Sequence, residues 1–260
     1  MHDFIKAFIL GIVEGVTEFL PISSTGHLIL VNQWISFDAQ FTNLFDVVIQ
    51  LGAILAVGVS FRKELFSFSK IETLNLWKKV ILAVIPSLGF GVLCYESIEK
   101  NLFNPWIVAM ALVAGGIVLL LLEKTPREKP IQTFEKLTYK TALLIGFIQC
   151  ISMVPGTSRS AATIIGAMLL GCSRLISAEF SFFLAIPTMI AASGYSLFKQ
   201  GFNLTSHEFI TLAIGFWTSF FIAWIVIEGF LNYIRKKDFK PFAWYRIILG
   251  SLILFFYFLK

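Results

Sequence analysis

The hydrophobic and polar positions divide the chain into long apolar runs separated by short basic connections. Runs at 42–61, 80–95, 105–122, 176–198, 209–233 and 244–259 approach or exceed the ~20 residues that a helix needs to cross a bilayer. They predict six spans, with Pro86 and Pro187 as expected kinks. Two further apolar stretches do not fit this description. Residues 4–35 are broken by Pro21 and Gly26, and residues 141–172 by Pro155 and Gly156. Each arm is shorter than the ~20 residues of a span. Each stretch therefore predicts a re-entrant pair of half-helices that dips in and returns to the same side. Such broken backbone is tolerated at depth only when it is buried in protein or lines a cavity.

Composition supports the membrane reading. The chain of 260 residues is 57% hydrophobic and 14% charged, where a soluble domain carries about 25% charged residues. No polar run is long enough to fold alone, so residues 1–260 are expected to form one all-α integral membrane domain. No cleavable signal peptide is expected, because the first apolar segment runs into a polar motif without a small-residue cleavage site. The net charge of +5 does not point to nucleic acid, since most Lys and Arg lie in short connections. Cys94, Cys150 and Cys172 lack metal spacing and read as packing residues. The phenylalanines are expected to face lipid, and Trp34, Trp77, Trp106 and Trp244 to sit at the interfaces.

Basic residues also set the orientation. Connections 62–79, 123–140 and 234–243 carry 5, 5 and 4 Lys or Arg, whereas 96–104 and 199–208 carry one each. The positive-inside rule puts the first three in the cytoplasm. The N-terminus and the first broken pair then lie outside, and the second broken pair enters from the cytoplasm. Each half, about 1–125 and 135–260, reads as a broken pair followed by three spans, and the two halves are inverted. Local sequence echoes this: Gly11-Ile-Val-Glu14 resembles Gly146-Phe-Ile-Gln149, and Pro21-Ile-Ser23-Ser24 resembles Pro155-Gly-Thr157-Ser158. Inverted repeats with discontinuous helices place a site near the midplane at the repeat interface, so the two polar breaks are expected to meet.

The first break holds Glu14, Glu18, Ser23, Ser24, Thr25, Gly26 and His27, and the second holds Thr157, Ser158, Arg159 and Ser160. Ionisable groups at membrane depth are costly and mark function by default. Glu14 and Glu18 share a helical face. Left unpaired they would repel, so they need a cation, a metal or a hydrogen-bonding partner. A Glu18 carboxylate on one nitrogen of His27 would fix its tautomer and leave the other nitrogen reactive. The half-helix starts at Ser23-Ser24-Thr25-Gly26 and at Thr157-Ser158-Arg159-Ser160 suit anions through free N–H groups and the helix dipole. Arg159 can grip phosphate in bidentate fashion. Taken singly, each residue has a structural reading: carboxylates tied to backbone, an interhelical histidine, hydroxyls bonded back to carbonyls, a snorkelling arginine. Their joint occurrence at two related breaks points to a site. Asp46 and Glu179 open corresponding spans, where pairing across the interface and catalysis are equal readings. Arg174 reads as a positive-inside residue or a partner of Glu179.

These two motifs, Glu14-Gly-Val-Thr-Glu18-Phe-Leu-Pro-Ile-Ser-Ser-Thr-Gly-His27 and Pro155-Gly-Thr-Ser-Arg-Ser-Ala-Ala-Thr163, resemble the signatures of the undecaprenyl-diphosphate phosphatase (bacitracin resistance protein) family. Phe45-Asp-Val-Val-Ile-Gln-Leu-Gly52 and Ala178-Glu-Phe-Ser-Phe182 are also similar to family segments, with Asp46 in place of an expected Glu and Ala161 in place of a frequent Gly. The resemblance implies a hydrolase of bacterial cell-wall synthesis in the inner (cell) membrane. It would act at the outer face, remove the terminal phosphate of a polyprenyl diphosphate, and bear on bacitracin resistance. It further implies a divalent cation, Mg2+ or Ca2+. By matched position it assigns Glu14 and Glu18 to the acidic motif, Ser24 and His27 to a Ser/His pair, and Arg159 to phosphate binding. The partners implied are the polyprenyl diphosphate, membrane lipids and, as a further candidate, a second copy of the chain in a homodimer.

Two points stay open on sequence alone. The nucleophile is His27, oriented by Glu18, or Ser24 with His27 as its base. Glu14 and Glu18 could instead hold the cation through their oxygens. A polyprenyl-phosphate flippase or transporter is the competing reading, because inverted repeats around a midplane site are a transporter signature.

Overall fold

A computed structural model of the chain describes residues 2–102, 104–125, 128–200 and 204–258. Arg127 of the second basic connection, residues 201–203 and the end of the last expected span lie outside the described residues. The opening stretch folds as α1 (Asp3–Thr17) and α2 (Ser24–Val31), parted at Glu18–Ser23 where Pro21 cannot continue a helix. At 1.5 Å per residue these arms are about 22 and 12 Å long, short of the ~30 Å hydrocarbon core. There follow α3 (Ala39–Ser60), the single turn α4 (Arg62–Leu65), α5 (Ile71–Leu102) and α6 (Pro105–Lys124). The second broken stretch gives α7 (Tyr139–Gln149), a 3-10 turn at Cys150–Met153 and α8 (Arg159–Leu169). The chain closes with α9 (Arg174–Gln200), α10 (Ser206–Ile234) and α11 (Lys240–Phe258).

The chain is an all-α, multi-pass membrane protein: α3, α5, α6, α9 and α10 are each long and apolar enough to cross a bilayer. The sixth expected span corresponds to α11, a 19-residue helix with Arg246 buried two turns from its start. Among the described residues the only β pairing is an isolated bridge between Ile131 and Cys172.

Two sequence-based boundaries shift. The connection expected at 62–79 ends at Ile71, and Lys78 and Lys79 lie on α5. Leu76, Val80 and Ala83 are buried at helical spacing through this basic stretch, so the amphipathic face continues the helix where charge alone suggested a loop. The same helix runs on to Leu102, through most of the connection expected at 96–104. Lys79 is only 6% exposed and donates to the Phe134 carbonyl at 2.7 Å. Arg174 pairs with Glu123 in bidentate fashion through the Nε–Nη2 edge of its guanidinium, its Nε at 2.8 Å from Oε1. It therefore partners Glu123 and not Glu179. Glu123 also accepts from the Phe239 N–H at 3.1 Å. These bonds gather the three basic connections at one end of the molecule.

In packing, α6 lies on α11, α3 and α1 lie on α10, and α5 lies on α7, while α8 rests on α9. Close approach of α1 to α10 depends on Gly15, where a side chain would strike the Ser219 carbonyl and Ile222. The phenylalanines do more than face lipid. Phe19, Phe45, Phe180, Phe182, Phe183 and Phe239 are fully buried, whereas Phe8, Phe209, Phe221, Phe255 and Phe256 are exposed. Phe19 meets Phe182 edge to face with ring centroids 5.1 Å apart, a geometry that adds to area burial. Trp34, Trp106 and Trp244 are exposed, but Trp77 turns inward to donate to the Leu65 carbonyl at 2.7 Å. The three cysteines are free thiols.

Candidate active site

Both breaks end on a serine in the left-handed region, Ser23 at φ 73° and Ser158 at φ 72°. Each caps the helix that follows. Ser23 Oγ accepts from the Gly26 N–H at 3.3 Å, and Ser158 Oγ accepts from the Ala161 N–H at 3.2 Å. An N-cap side chain satisfies one of the orphan donors of a helix start, so α2 and α8 begin sharply. Between the two starts lies a cavity of about 200 Å³. From the first break it is lined by Glu18, Ser23, Ser24 and Thr25, and from the second by Pro155, Gly156, Ser158 and Arg159. Gln50, Ser152, Met153 and Met189 complete the wall.

Glu18 is the centre of this wall. Ser24 Oγ donates to its Oε2 at 2.5 Å, and Arg159 Nη2 donates to its Oε1 at 2.9 Å. Arg159 does not snorkel away. Its Nη1 donates to the Ser181 carbonyl at 2.8 Å, Nη2 approaches Met189 Sδ at 3.7 Å, and the guanidinium carbon lies 5.9 Å from the Phe19 ring centroid. Ser160 Oγ donates to the Leu20 carbonyl at 2.9 Å and shares a hydroxyl contact of 3.0 Å with Ser158 Oγ. The second break is thus bonded directly to the first. Glu14, Gly26, His27, Thr157 and Ser160 are not among the residues that line the cavity, and the Gly26 N–H is spent on the cap.

Two expected contacts take another form. His27 is not bonded to Glu18. Its Nδ1 lies 2.7 Å from the Ser23 carbonyl and its Nε2 lies 2.6 Å from Tyr245 Oη. Glu18, already engaged by Ser24 and Arg159, has both oxygens occupied, and α2 turns the imidazole toward α11. The base hydrogen-bonded to Ser24 is therefore Glu18 and not His27. Asp46 does not pair with Glu179; its Oδ2 accepts from Asn32 Nδ2 at 3.0 Å.

Glu14 is 0% exposed, and neither of its carboxylate oxygens has a hydrogen-bond partner among the described residues. Mg2+ and Ca2+ take oxygen ligands, so this orphaned carboxylate fits as a ligand to such a cation. Glu18 fits less well, since both of its oxygens are engaged. Among the described residues no three His, Cys, Asp or Glu side chains gather as a metal cluster, so a cation would depend on other oxygens as well.

Sequence reasoning passes over Arg246. This side chain is 0% exposed and spends its donors on backbone carbonyls of Leu112, Pro21, Ala111, Gly156 and Thr157 at 3.0–3.3 Å. Pro21 belongs to the first break, and Gly156 and Thr157 belong to the second, so one guanidinium grips both. Gly156, at φ +89°, lies where a side chain would strike the Val108 backbone. Arg246 carries little signal, since it lies at the third position of the last apolar run and reads as the tail of the basic connection before it. Gln50 is marked only as part of the family-like segment Phe45–Gly52, and Ser152 and Met189 carry no signal.

Residues 7–252 match the family described as "Bacitracin resistance protein BacA". "Undecaprenyl-diphosphatase 1" of Clostridioides difficile (strain 630) is 49% identical over 266 residues, covering 99% of this chain and 97% of that protein. "Undecaprenyl-diphosphatase" of Enterococcus faecalis is 46% identical over 265 residues, covering 97% and 96%. The protein of the same name from Wolinella succinogenes is 48% identical over 257 residues, covering 98% of each. With a family match across nearly its whole length and relatives approaching half identity, the chain belongs to the bacitracin resistance protein BacA family.

Proposed function

We propose that this chain is a membrane-embedded phosphatase that hydrolyses undecaprenyl diphosphate to the monophosphate carrier and inorganic phosphate. The observation that carries the reading is Glu18, held between the Ser24 hydroxyl and the Arg159 guanidinium on a cavity wall, in a chain whose relatives are named for that activity. The polyprenyl tail stays among apolar helices and the diphosphate enters the cavity. Arg159 and the first-turn N–H groups of α2 and α8 take the phosphate oxygens and stabilise charge on the transferring phosphoryl group. The incoming anion competes with Glu18 for Arg159, which leaves Glu18 a stronger base toward Ser24.

Ser24 Oγ then attacks the terminal phosphorus and its proton passes to Glu18 Oε2. The bond from that phosphorus to the bridging oxygen breaks, and polyprenyl monophosphate departs. The proton on Glu18 passes to the departing monophosphate, and Glu18 then takes a proton from water, which cleaves the phosphoserine and releases phosphate. Ser24 is favoured over His27 as nucleophile because its hydroxyl already faces a proton acceptor, whereas both ring nitrogens of His27 are engaged. Glu14 would hold a divalent cation, which when bound neutralises charge on the diphosphate. Ser23, Thr25, Gly26, Thr157, Ser158 and Ser160 shape the two helix starts around the anion.

The wider arrangement belongs to the same proposal. Halves at about 1–125 and 135–260 form an inverted pair with re-entrant α1–α2 and α7–α8, supported by matched packing: α1 on α10, and α7 on α5. The basic end faces the cytoplasm of the inner membrane, with the site opening outward, and the chain works alone or as a homodimer. The same packing suits a lipid flippase, which releases no phosphate.

The test is phosphate release from undecaprenyl diphosphate by purified protein in detergent, with the enzyme quenched in acid. We expect turnover, an acid-stable phosphoserine, and a loss of about 10²–10⁴-fold in Glu18→Gln, the range for removing a general base. Full turnover in Ser24→Ala, or an acid-labile phosphohistidine, would overturn the assignment of Ser24.

A further inference from the structure

The His27 ring is held at both nitrogens by groups outside the acidic motif. Nδ1 lies 2.7 Å from the Ser23 carbonyl, and a carbonyl only accepts, so Nδ1 carries the proton. Neutral imidazole then has its lone pair on Nε2, which lies 2.6 Å from Tyr245 Oη. The tyrosine hydroxyl must therefore donate. The two rings are parallel within 6°, their centroids 5.6 Å apart, so tyrosine holds the plane of the imidazole while the Ser23 carbonyl sets its tautomer. The Ser23 carbonyl also accepts the His27 backbone N–H at 3.2 Å. Ser23 holds a left-handed φ of 73°, and Ser24 follows it directly. A chain of contacts thus runs from α11 through Tyr245 and His27 to the backbone residue that sets the direction of Ser24.

We propose that Tyr245 is the positioning residue for His27. Its hydroxyl, donating to Nε2, pins the imidazole against the Ser23 carbonyl that sets the Nδ1–H tautomer, and through that contact holds the first turn of α2 with Ser24 aimed at Glu18. In this arrangement Nε2 is the one ring atom able to take a proton, and Tyr245 controls access to it. Tyr245 is not among the residues that line the cavity; it acts through His27. The inference rests on the phosphatase reading for its kinetic arm and is independent of it for its spectroscopic arm.

Tyr245→Phe removes only the hydroxyl and keeps the stacked ring. In the full-length protein in detergent, we expect kcat to fall roughly ten-fold with KM little changed, the size of effect seen for directly coupled contacts. The same substitution in a His27→Ala background should cost nothing further, since the residue it acts through is gone. An equal fall in both backgrounds would overturn the inference. The second arm uses 15N-histidine and reads the imidazole by NMR in the absence of substrate. We expect Nδ1 protonated and Nε2 bare but hydrogen-bonded in the parent protein, and a shifted Nε2 resonance that reports the lost hydrogen bond in Tyr245→Phe. An imidazole spectrum unchanged by Tyr245→Phe would overturn it even where His27→Ala leaves too little turnover to measure. Failure of the parent protein to release phosphate would sink the phosphatase reading alone, because the NMR arm still reports the His27–Tyr245 bond.

Discussion

The two breaks are built alike and charged differently. In each, a serine with φ near 72° ends the turn and caps the next helix with a bond to the N–H three residues on. In each, backbone carbonyls of the turn are gripped by Arg246. Yet the residue after the cap is Ser24 in one case and Arg159 in the other. The approach helix also differs, since α1 leads to Glu14 and Glu18 while α7 ends on Gln149, whose amide donates to Ser87 Oγ at 2.8 Å. One backbone device, used twice, thus presents a hydroxyl and a carboxylate from one side and a guanidinium from the other. Neither break is complete as chemistry. A buried Glu18 without Arg159 would be an uncompensated charge, and so would Arg159 without Glu18.

The sharpest way to break the comparison is to remove its charged difference. Arg159→Ala should lower phosphate release about 10²–10³-fold, the usual cost of deleting one preorganised group at a developing charge. Arg159→Lys should recover only part of this, because an ammonium lacks the planar fork that reaches Glu18 and Ser181 together. Glu18→Gln added to Arg159→Ala should cost far less than it does alone, since the two side chains act as a unit. Independent, additive losses would mean that the breaks do not function together.

Next in size is the grip they share. Arg246→Met keeps an unbranched apolar stem and strands the turn carbonyls of Pro21, Gly156 and Thr157 that now accept from the guanidinium. We expect a loss on the order of 3 kcal/mol, as for buried acceptors left unpaired, read as a lowered unfolding midpoint in detergent. Arg246→Lys should fare little better, because one compact ammonium cannot meet carbonyls from three segments. An unfolding midpoint equal to the parent's would show that each break holds itself together without the arginine.

What was legible in the sequence follows from what each signal measures. Apolar run length places α3, α6, α9 and α10 because burial in lipid is a property of composition. It misplaces the start of α5, where Lys78 and Lys79 suggested a connection but Leu76, Val80 and Ala83 continue a buried face. The two breaks were visible as Pro and Gly in short apolar arms. Their register was not: the echo of Pro21-Ile-Ser23-Ser24 in Pro155-Gly-Thr157-Ser158 pairs Ser24 with Ser158. The caps instead pair Ser23 with Ser158, and so Ser24 with Arg159. A one-residue slip of this kind is invisible to residue type, because adjacent serines look alike until a φ and a hydrogen bond separate them. The partner of His27 was also hidden, since Tyr245 lies 218 residues away in a helix that reads as an ordinary span.

The smallest expected effect tests whether the two breaks are the same device. Ser23→Ala and Ser158→Ala each remove a cap, worth about 1 kcal/mol, and leave a side chain at positive φ. Ser23→Gly and Ser158→Gly lose the same cap but release the left-handed backbone from its Cβ, worth a further ~1 kcal/mol in the opposite direction. Glycine should therefore be close to neutral at both positions and more stable than alanine at both. Ser158 carries one contact that Ser23 lacks, its 3.0 Å hydroxyl pairing with Ser160, and Ser160 in turn holds Leu20 of the first break. Alanine at 158 should accordingly cost more than alanine at 23 by part of one hydrogen bond, about 0.5–1 kcal/mol. Unfolding midpoints of the four variants decide this. A glycine no better than alanine at one position alone would mean that only one of the two serines is held in place by its backbone conformation, and that the likeness of the breaks is confined to their dihedral angles.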